Sequence, residues 1–289
     1  MTVGRGIFLA NLFGAAKNAA SPVNFRSTVT DRRYKAALTR MHRFYIPAEN
    51  WNLDRLVLDE AETHHALDVL RLRQGDKAVV FDGQGLEATV EITGIAKHHV
   101  ELRSIRSETT APLPCRITLA QAIPKGKNME LILEKATELG ATEIVPLLSE
   151  RTVIQLDPKD AAKKQEKWQN IAIEACKQCG QNRLPEVRIP VTPKDFFKTN
   201  PHFDLRLIAS LQPDAQHLKN VLAEFEAEQN KRPTSVLILI GPEGDFTPAE
   251  ISMAKGAGCS PITLGPIVLR TETASIYCLS VLGYELLGR

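Results

Sequence analysis

The sequence predicts an α/β protein in which a small β-rich domain precedes a larger domain built on a parallel sheet. From Cys115 onward, apolar runs rich in β-branched residues alternate with amphipathic helical stretches. That alternation is typical of buried parallel strands joined by crossover helices. Short strands separated by polar turns fill residues 41–111 instead. Pro112 and Pro114 lie between the two patterns and predict a linker there.

Length, charge and cysteine content exclude several classes of protein. A chain of 289 residues suggests two domains of roughly 100–200 residues each. No apolar run approaches the roughly 18 residues that a membrane-spanning helix needs, so we expect no membrane partner. The five cysteines, in a chain without a clear secretory signal, favour reduced thiols and a cytoplasmic location. The formal net charge is only +2, so a nucleic-acid-binding surface would have to be a local patch.

Residues 1–40 differ in composition from the rest of the chain. Their Lys and Arg residues outnumber the single acid, Asp31. An Arg-rich, acid-poor start is compatible with an organellar targeting segment, whereas a disordered extension gives the same composition. We expect the extension and exclude the segment from the fold.

Short strands are predicted at 42–46, 78–81, 86–92 and 99–105, with turns between them, and this spacing favours a small barrel. Thr63 is predicted to cap a short helix that runs through Leu70. The adjacent His64 and His65 would point about 100° apart on that helix and do not predict a metal site.

The larger domain has its strongest signals in its last quarter. The predicted strands are 116–122, 143–148, 205–211, 236–240 and 262–264, and the predicted helices between them are 129–139, 159–179 and 215–228. The helix 159–179 carries several lysines near its start. Gly241-Pro242-Glu243-Gly244 follows the apolar strand 236–240, and Gly265-Pro266 follows the next strand.

Each of these two glycine turns leads into a helix. Thr247, Pro248 and Glu250 form a capping pattern that starts a helix at Pro248, and Thr271 opens the last helix. Ligands of open α/β sheets bind at the carboxyl ends of strands. The two turns therefore predict the binding site.

The usual nucleotide and nucleophile motifs are missing from the sequence. It has no G-x-G-x-x-G after its first large-domain strand, no phosphate-cradling P-loop and no G-x-S-x-G elbow. The Cys176-x-x-Cys179 pair falls late in a predicted helix and has no second pair, so we expect neither a redox nor a metal role for it.

Four segments together resemble the RsmE family of small-subunit (16S) ribosomal RNA uridine-N3 methyltransferases, which belong to the SPOUT superfamily. They are Ser149-Glu150-Arg151, I-A-I-E-A-C-K-Q-C-G-Q-N-R-L-P at 171–185, the turn at 241–244, and L-G-P at 264–266 with L-R-T-E-T-A at 269–274. The resemblance extends over 41–289 in order.

The resemblance implies a PUA-like RNA-binding barrel at 41–111 and a SPOUT methyltransferase domain at 112–289 whose chain forms a deep trefoil knot. It also implies S-adenosylmethionine as the methyl donor, small-subunit ribosomal RNA or the 30S subunit as the substrate, a homodimer, and no metal. The alternatives are a SPOUT enzyme that methylates a ribose 2′-oxygen of another RNA, and a non-catalytic RNA-binding factor in ribosome assembly.

Specific residues take roles from the same resemblance. Catalytic roles fall to Arg151, Arg270 and Glu272, with Glu272 as the candidate base. The expected donor-binding residues are Leu211, Gly241, Glu243, Gly244, Leu264, Gly265 and Leu269. The expected RNA-binding residues are Arg43, His65, Arg71, Arg73, Asn182 and Arg183. For the arginines of the small domain an ordinary solvated surface is an open alternative, and for His65 a structural role is. Two alternatives stay open, because Glu272 also suits the first turn of a helix electrostatically and Arg270 could form a structural ion pair with Glu243 or Glu272.

The sequence departs from the family pattern at three positions. Asp245 stands where the family usually has Gly, and Ile267 and Gln181 stand where it usually has Arg. Asp245 directly follows the first glycine turn. We expect it to adopt a left-handed backbone conformation at modest cost.

Overall fold

The computed structural model of the protein describes residues 41–154, 156–199 and 201–288. The predictions made for residues 1–40 lie outside these ranges. Within them, two sheets form in chain order, one from strands between 43 and 109 and one from strands between 116 and 263. No helix of the described ranges is long and apolar enough to cross a membrane.

The first sheet has five strands in the hydrogen-bonded order β1-β3-β4-β5-β2. Strand β1 pairs parallel with β3, and the other pairs are antiparallel. The strands are β1 (Arg43–Tyr45), β2 (Leu56–Leu58), β3 (Lys77–Phe81), β4 (Leu86–Ile95) and β5 (Val100–Thr109). Alternate residues of β4 are buried, including Ala88, Val90 and Ile92, and they pack with Phe44 into a separate small core. The alternation that predicted these strands therefore marks their inward face.

The predicted cap of the short helix is wrong by four residues. Helix α1 (Glu60–His64) begins after Asp59, whose carboxylate accepts a hydrogen bond from the Glu62 amide at 2.8 Å. Thr63 is buried inside the helix, and its hydroxyl donates to the carbonyl of Leu58. Asp caps helices as well as Thr does, and here it comes first. The chain continues as one wider helical turn at His65–Val69.

The second sheet has seven strands, all parallel, in the order β10-β12-β9-β11-β6-β7-β8. The strands are β6 (Arg116–Ala122), β7 (Glu143–Leu147), β8 (Glu186–Val187), β9 (Leu205–Ala209), β10 (Gln216–His217), β11 (Ser235–Ile240) and β12 (Ser260–Thr263). Every residue of β11 is buried. This confirms the prediction, made from its continuous apolar run, of a strand covered on both faces.

In the described part of the large domain, six helices alternate with these strands: α2 (Asn128–Glu138), α3 (Pro158–Cys179), α4 (Pro193–Lys198), α5 (Leu218–Gln229), α6 (Pro248–Gly256) and α7 (Thr271–Leu286). Helix α2 ends before Gly140, whose φ of 85° is left-handed, as expected for a helix stop. Helix α6 starts at Pro248 with a complete capping box between Thr247 and Glu250, as predicted. The two faces of the sheet have separate hydrophobic cores. One core contains Ile117 and Leu133, and the other contains Phe246.

Candidate functional site: a cleft between two glycine turns

A cleft of about 460 Å³ lies at the carboxyl ends of the adjacent strands β12, β9 and β11. This is the sheet edge that the sequence predicts for the ligand. The walls come from the segments that follow these three strands and from the start of α7. Its lining residues include Ser210, Leu211, Ile240, Gly241, Pro242, Glu243, Asp245, Leu264, Gly265, Ile267, Val268, Leu269 and Arg270, with Asn128 and Glu272.

The first glycine turn is held by its own backbone and by Asp245. The amide of Asp245 donates to the carbonyl of Pro242 at 2.9 Å, and its carboxylate accepts from the amide of Phe246 at 2.7 Å. Asp245 has a φ of 61°, so it adopts the expected left-handed conformation in place of the family's usual Gly. A Cβ on Gly241 would lie 3.0 Å from the Asp245 carboxylate. Glycine at 241 therefore leaves room for the turn to fold back on itself.

The second glycine turn carries the most exposed apolar side chains of the cleft. Gly265 has a φ of 111°, a conformation that favours glycine. Ile267 and Val268 follow it and are 73% and 72% exposed, and Leu211 across the cleft is 66% exposed. Apolar side chains held open to solvent at a cleft are typical of a surface that a ligand or a partner covers.

A buried polar network ties the first glycine turn to β6 and to the start of α7. The hydroxyl of Thr271 donates to the carbonyl of Gly241 at 2.7 Å and accepts from the amide of Gln121 at 3.1 Å. Ser275, one helical turn later, donates to the other end of the Gln121 amide group. The network thus joins β6, the first turn and the start of α7. Sequence reasoning missed Gln121 and Ser275, because a single polar residue in an apolar strand or helix gives no signal of its partner 154 residues away.

The predicted catalytic residues surround the cleft. Arg270 precedes α7 and is exposed, and within the described ranges it forms no ion pair with Glu243 or Glu272. Glu272 lies in the first turn of α7, where its carboxylate accepts from the Asn128 amide at 3.3 Å. Arg151 lies outside the cleft lining, and its guanidinium donates to the carbonyl of Gly244. The open alternative of a structural ion pair for Arg270 therefore does not hold in this structure.

Most of the predicted donor-binding residues face one space. Leu211, Gly241, Glu243, Leu264, Gly265 and Leu269 all line the cleft. Gly244 does not; it lies on the outer side of the first turn, where a Cβ would come within 3.4 Å of the Arg151 side chain. Glu243 has a second contact, because its carboxylate accepts from the backbone amide of Lys125 at 2.9 Å. The loop after β6 is thereby fixed to the cleft.

Three of the predicted RNA-binding residues lie between the two sheets. The guanidinium of Arg43 binds the carboxylate of Glu87 at 2.6 Å and the side-chain oxygen of Asn182 at 2.5 Å. Asn182 is buried and also donates to Thr110 at 2.9 Å. Arg183 donates twice to the carbonyl of Thr110, at 2.9 and 3.1 Å. These hydrogen-bonding groups are already used within the protein.

The other predicted RNA-binding residues differ from one another. His65 is partly buried, with its ring edge-on to Phe44 at 6.0 Å between ring centres. Arg71 and Arg73 are exposed, and Arg71 has a left-handed φ of 58°. Of the six, only these two arginines present exposed guanidinium groups that have no hydrogen-bond or ion-pair partner among the described residues.

A buried ion pair also joins the two domains, in addition to the hydrogen bonds of Arg43, Asn182 and Arg183. Lys177 of α3 binds Glu62 of α1, and each side chain is only 9% exposed. Burial raises the pKa of Glu62 above its ordinary value, and the charge of Lys177 opposes that shift. We call this region the joint; it consists of Arg43, Glu62, Glu87, Thr110, Lys177, Asn182 and Arg183.

The cysteine pair of α3 belongs to the protein interior. Cys176 is buried, and burial raises its pKa to about 12. Burial also raises the pKa of Cys179. A reactive redox pair needs a lowered thiol pKa, so the pair has the opposite character. The described ranges contain no group of three or more His, Cys, Asp or Glu side chains that could hold a metal ion.

Comparisons with known proteins agree with this architecture. A family model described as an RNA methyltransferase domain matches residues 111–283, and one described as an RNA methyltransferase PUA domain matches residues 58–103. The chain is 32% identical over 251 residues to ribosomal RNA small subunit methyltransferase E of Bacillus subtilis, covering 85% of this chain and 97% of that protein. The chain belongs to the ribosomal RNA small subunit methyltransferase E family.

Two further relatives support the same assignment. The protein of that name from Synechocystis is 32% identical over 255 residues, which cover 88% of this chain and 81% of that one. A crystal structure of ribosomal RNA small subunit methyltransferase E from Neisseria gonorrhoeae bound to S-adenosyl methionine superposes with a TM-score of 0.75 at 34% identity, covering 84% of this chain and 97% of that one. The family and the α/β fold class predicted from the sequence are confirmed. The trefoil knot and the homodimer stay predictions.

Proposed function

We propose that the protein transfers the methyl group of S-adenosylmethionine to N3 of one uridine in small-subunit (16S) ribosomal RNA, with the assembled subunit as the preferred substrate. The observation that carries this proposal is the cleft, in which two glycine turns and an exposed arginine meet at the ends of three parallel strands. Family membership identifies the reaction class, and the cleft supplies a place for the donor.

The backbone of the two turns is proposed to bind the donor. Gly241 and Gly265 have no side chain, so the adenine and ribose can approach their amide and carbonyl groups closely. Leu211, Leu264 and Leu269 provide apolar walls. Glu243 is already bonded to the Lys125 amide, so it would act on the donor mainly by holding the turn in place.

The chemistry needs positioning and charge stabilisation rather than a metal. The sulfonium of S-adenosylmethionine carries an activated methyl group, and holding it in line with N3 can supply about 7–11 kcal/mol of the barrier. A bond forms between N3 and the methyl carbon, the sulfur–methyl bond breaks, and the N3 proton must leave. We assign Glu272 as the base that accepts this proton and Arg270 as the group that stabilises the negative charge on the uracil oxygens.

RNA contact by the smaller domain is proposed at Arg71 and Arg73, which are exposed. Arg43, Asn182 and Arg183 would act on RNA only indirectly, by holding the joint. Arg151 is proposed to fix the first turn through the Gly244 carbonyl, and its charge remains near the cleft. Guanidinium groups suit phosphate because they can donate two parallel hydrogen bonds.

A second copy of the chain is proposed to pack on α7. Tyr277 and Tyr284 are 39% and 82% exposed on this helix, and they border a shallow groove with Ile276 and Val281. Exposed aromatic residues beside an apolar groove are typical of protein interfaces. Sedimentation of the wild type against Tyr284→Glu tests this: the wild type should sediment as a dimer and the variant as a monomer, and a monomeric wild type would contradict the proposal.

Labelled methyl transfer tests the function directly. Small ribosomal subunits and naked small-subunit ribosomal RNA are each incubated with labelled donor, and the product is read by reverse transcription. Methylation at N3 blocks the pairing edge, so we expect a single new stop at one uridine, with assembled subunits labelled more strongly. A methylated ribose would leave no comparable stop and would favour the ribose-methylating alternative. Absence of donor binding by calorimetry at millimolar concentration would contradict both enzyme functions and favour a non-catalytic assembly factor.

A further inference from the structure

Helix α3 carries lysines that the proposed reaction does not use. Lys159, Lys163 and Lys167 are spaced four residues apart and so lie along one side of the helix, with Lys164 next to them. Lys159 and Lys163 are exposed and form no ion pair within the described ranges. Lys164 lies over the ring of Trp168 at 5.9 Å.

The loop after β6 carries two more lysines. Lys125 and Lys127 flank Gly126, which has a left-handed φ of 67°, and both are exposed without an ion pair among the described residues. By contrast, the exposed Lys198 of α4 is paired with Asp195 at 2.6 Å. Lys125 and Lys127 thus present positive charge that no described carboxylate neutralises through an ion pair.

Two contacts place the loop at the edge of the cleft. The Lys125 amide binds the carboxylate of Glu243, and Asn128, the first residue of α2, binds Glu272. Glu243, Glu272 and Asn128 all line the cleft, whereas Lys125 and Lys127 do not. Their side chains therefore belong to the surface beside the cleft and not to its lining.

The loop and helix α3 are connected through Glu130 of α2. Its carboxylate binds Lys167 at 2.5 Å. Its pKa is lowered first by this hydrogen bond and further by the nearby charges of Lys127 and Lys164. One carboxylate is therefore surrounded by three lysines from the loop and the helix. The positive surface ends toward the C-terminal half of α3, where Glu134, Glu138 and Glu174 border the groove between α2 and α3.

We propose that Lys125, Lys127, Lys159, Lys163, Lys164 and Lys167 form a basic track that binds the phosphate backbone of the RNA whose base enters the cleft. The track would give the methyltransferase domain its own RNA contact, separate from the smaller domain. Compact ammonium groups on flexible stems suit phosphates of any sequence, so the track positions the strand and does not read bases. This inference rests on the proposed function, because it takes RNA as the substrate.

Salt-dependent binding tests the track. Affinity for small-subunit ribosomal RNA is measured by fluorescence titration from low to high salt for the wild type and for Lys125→Gln/Lys127→Gln/Lys163→Gln. Each lost phosphate contact lowers the slope of log affinity against log salt by about 0.9 on duplex and about 0.7 on single strands. We therefore expect the slope to fall by about 2–3 and the affinity at physiological salt to fall on the order of 10- to 100-fold. An unchanged slope would overturn the proposal.

A matched control and a second variant complete the test. Lys219→Gln removes an exposed lysine on α5, which packs against β10 and β12 at the opposite edge of the sheet from α3, and it should leave the slope unchanged to within about one contact. Donor affinity measured by calorimetry should equal that of the wild type in both variants, since none of these lysines lines the cleft. If the triple variant loses donor affinity through damage to the loop, Lys159→Gln/Lys163→Gln on α3 alone must still lower the slope.

The outcomes separate this inference from the proposed function. Normal methyl transfer by the wild type with the same slope and the same KM for RNA in the variants would reject the track alone. A reduced slope without any methyl transfer by the wild type would reject the proposed function and keep the RNA-binding track. With both correct, the triple variant should raise KM for RNA, with kcat at saturation within about twofold of the wild type, because the lost contact is made equally in the ground and transition states.

Discussion

The joint and the rim of the cleft contain similar charged residues and use them in opposite ways. At the joint, Arg43 and Lys177 are each about nine-tenths buried, and both contact partners on the protein itself. The rim of the cleft consists of Arg270 in its lining and Lys125 in the loop beside it. Both are exposed, and their charges have no ion-pair partner within the described ranges. A buried charge is retained only when it is paired, whereas a free exposed charge remains available to a ligand. Charge alone is therefore a weak predictor of RNA contact, and the partners of each charged group must be compared as well.

The backbone of the cleft also differs from the backbone of the joint. The cleft is built from turns whose glycines expose amide and carbonyl groups, and its apolar side chains Ile267 and Val268 are open to solvent. At the joint, the backbone of 182–184 is paired with the hairpin turn of the first sheet, through Gly85 to Asn182 and Leu184 to Gly83. The joint is thus a closed structural contact and the cleft an open one. Substitutions at the joint should change stability, and substitutions at the rim should change the reaction.

The largest expected effect is on stability at the joint. Lys177→Met removes the ion-pair partner of Glu62 and leaves a buried carboxylate without the ammonium group that neutralises it. Such a loss costs about 3–5 kcal/mol in the free energy of unfolding, which urea denaturation measures. The double variant Glu62→Leu/Lys177→Met, with no buried charge, should recover most of the loss. A single variant as stable as the wild type would show that the pair contributes nothing to the joint.

At the rim, Arg270→Ala should lower methyl transfer with little effect on stability. Removing one group that stabilises transition-state charge costs about 10²–10³ in kcat. Donor affinity should stay within a few-fold and the free energy of unfolding within about 0.5 kcal/mol, because Arg270 is exposed and unpaired in the described structure. Arg270→Lys keeps the charge and should retain part of the activity. Unfolding of Arg270→Ala, or full activity, would contradict the contrast with the joint.

The pH dependence of stability gives a smaller effect that belongs to the joint. Burial raises the pKa of Glu62 from its ordinary value of 4.5, so the folded state holds this proton more tightly than the unfolded state. The favourable contribution of Glu62 is fully present below pH 4.5 and is lost as pH rises through the raised pKa. We expect the free energy of unfolding of the wild type, relative to that of Glu62→Gln, to fall as pH rises above 4.5.

Urea denaturation across pH measures this difference. Glu174→Gln serves as the control, because Glu174 contacts the same lysine at 2.7 Å but its side chain is 61% exposed. Its pH dependence should match that of the wild type closely. A relative stability of the wild type that rises with pH would mean that Lys177 outweighs burial at this site.

The sequence predicted the elements whose signals are local. The continuous apolar run of β11 and the Thr247–Glu250 capping box are each complete within a few residues, and both are confirmed. The short strands β2, β8 and β10 were missed, because two or three residues give no periodicity. Leu211 was placed in a strand that ends at Ala209, yet it still lines the cleft. The two glycine turns were predicted to share a site because parallel strands end at one edge.

The joint could not be predicted in the same way. Arg43 and Asn182 are 139 residues apart, and nothing near either residue signals the other. An arginine in a β-rich domain and an asparagine in a basic segment both suggested RNA contact, whereas here each satisfies a buried polar partner. Glu62 and Lys177 lie on helices of different sheets, so their pairing also depends on the packing of those sheets. Long-range polar pairs of this kind follow from the fold and do not precede it.

The smallest expected effect is at Asp245, on the boundary between turn and ligand. Asp245→Gly should relieve the cost of its φ of 61° and lose the hydrogen bond from the Phe246 amide, so the two effects oppose each other. We expect the free energy of unfolding to change by less than about 1 kcal/mol and donor affinity by less than about threefold. Asp245→Ala keeps the strained conformation without the carboxylate and should be the less stable of the two variants. If instead Asp245→Gly changes donor affinity more than about tenfold while stability is unchanged, the carboxylate contacts the donor, and the cleft then depends on a side chain where the backbone was expected to suffice.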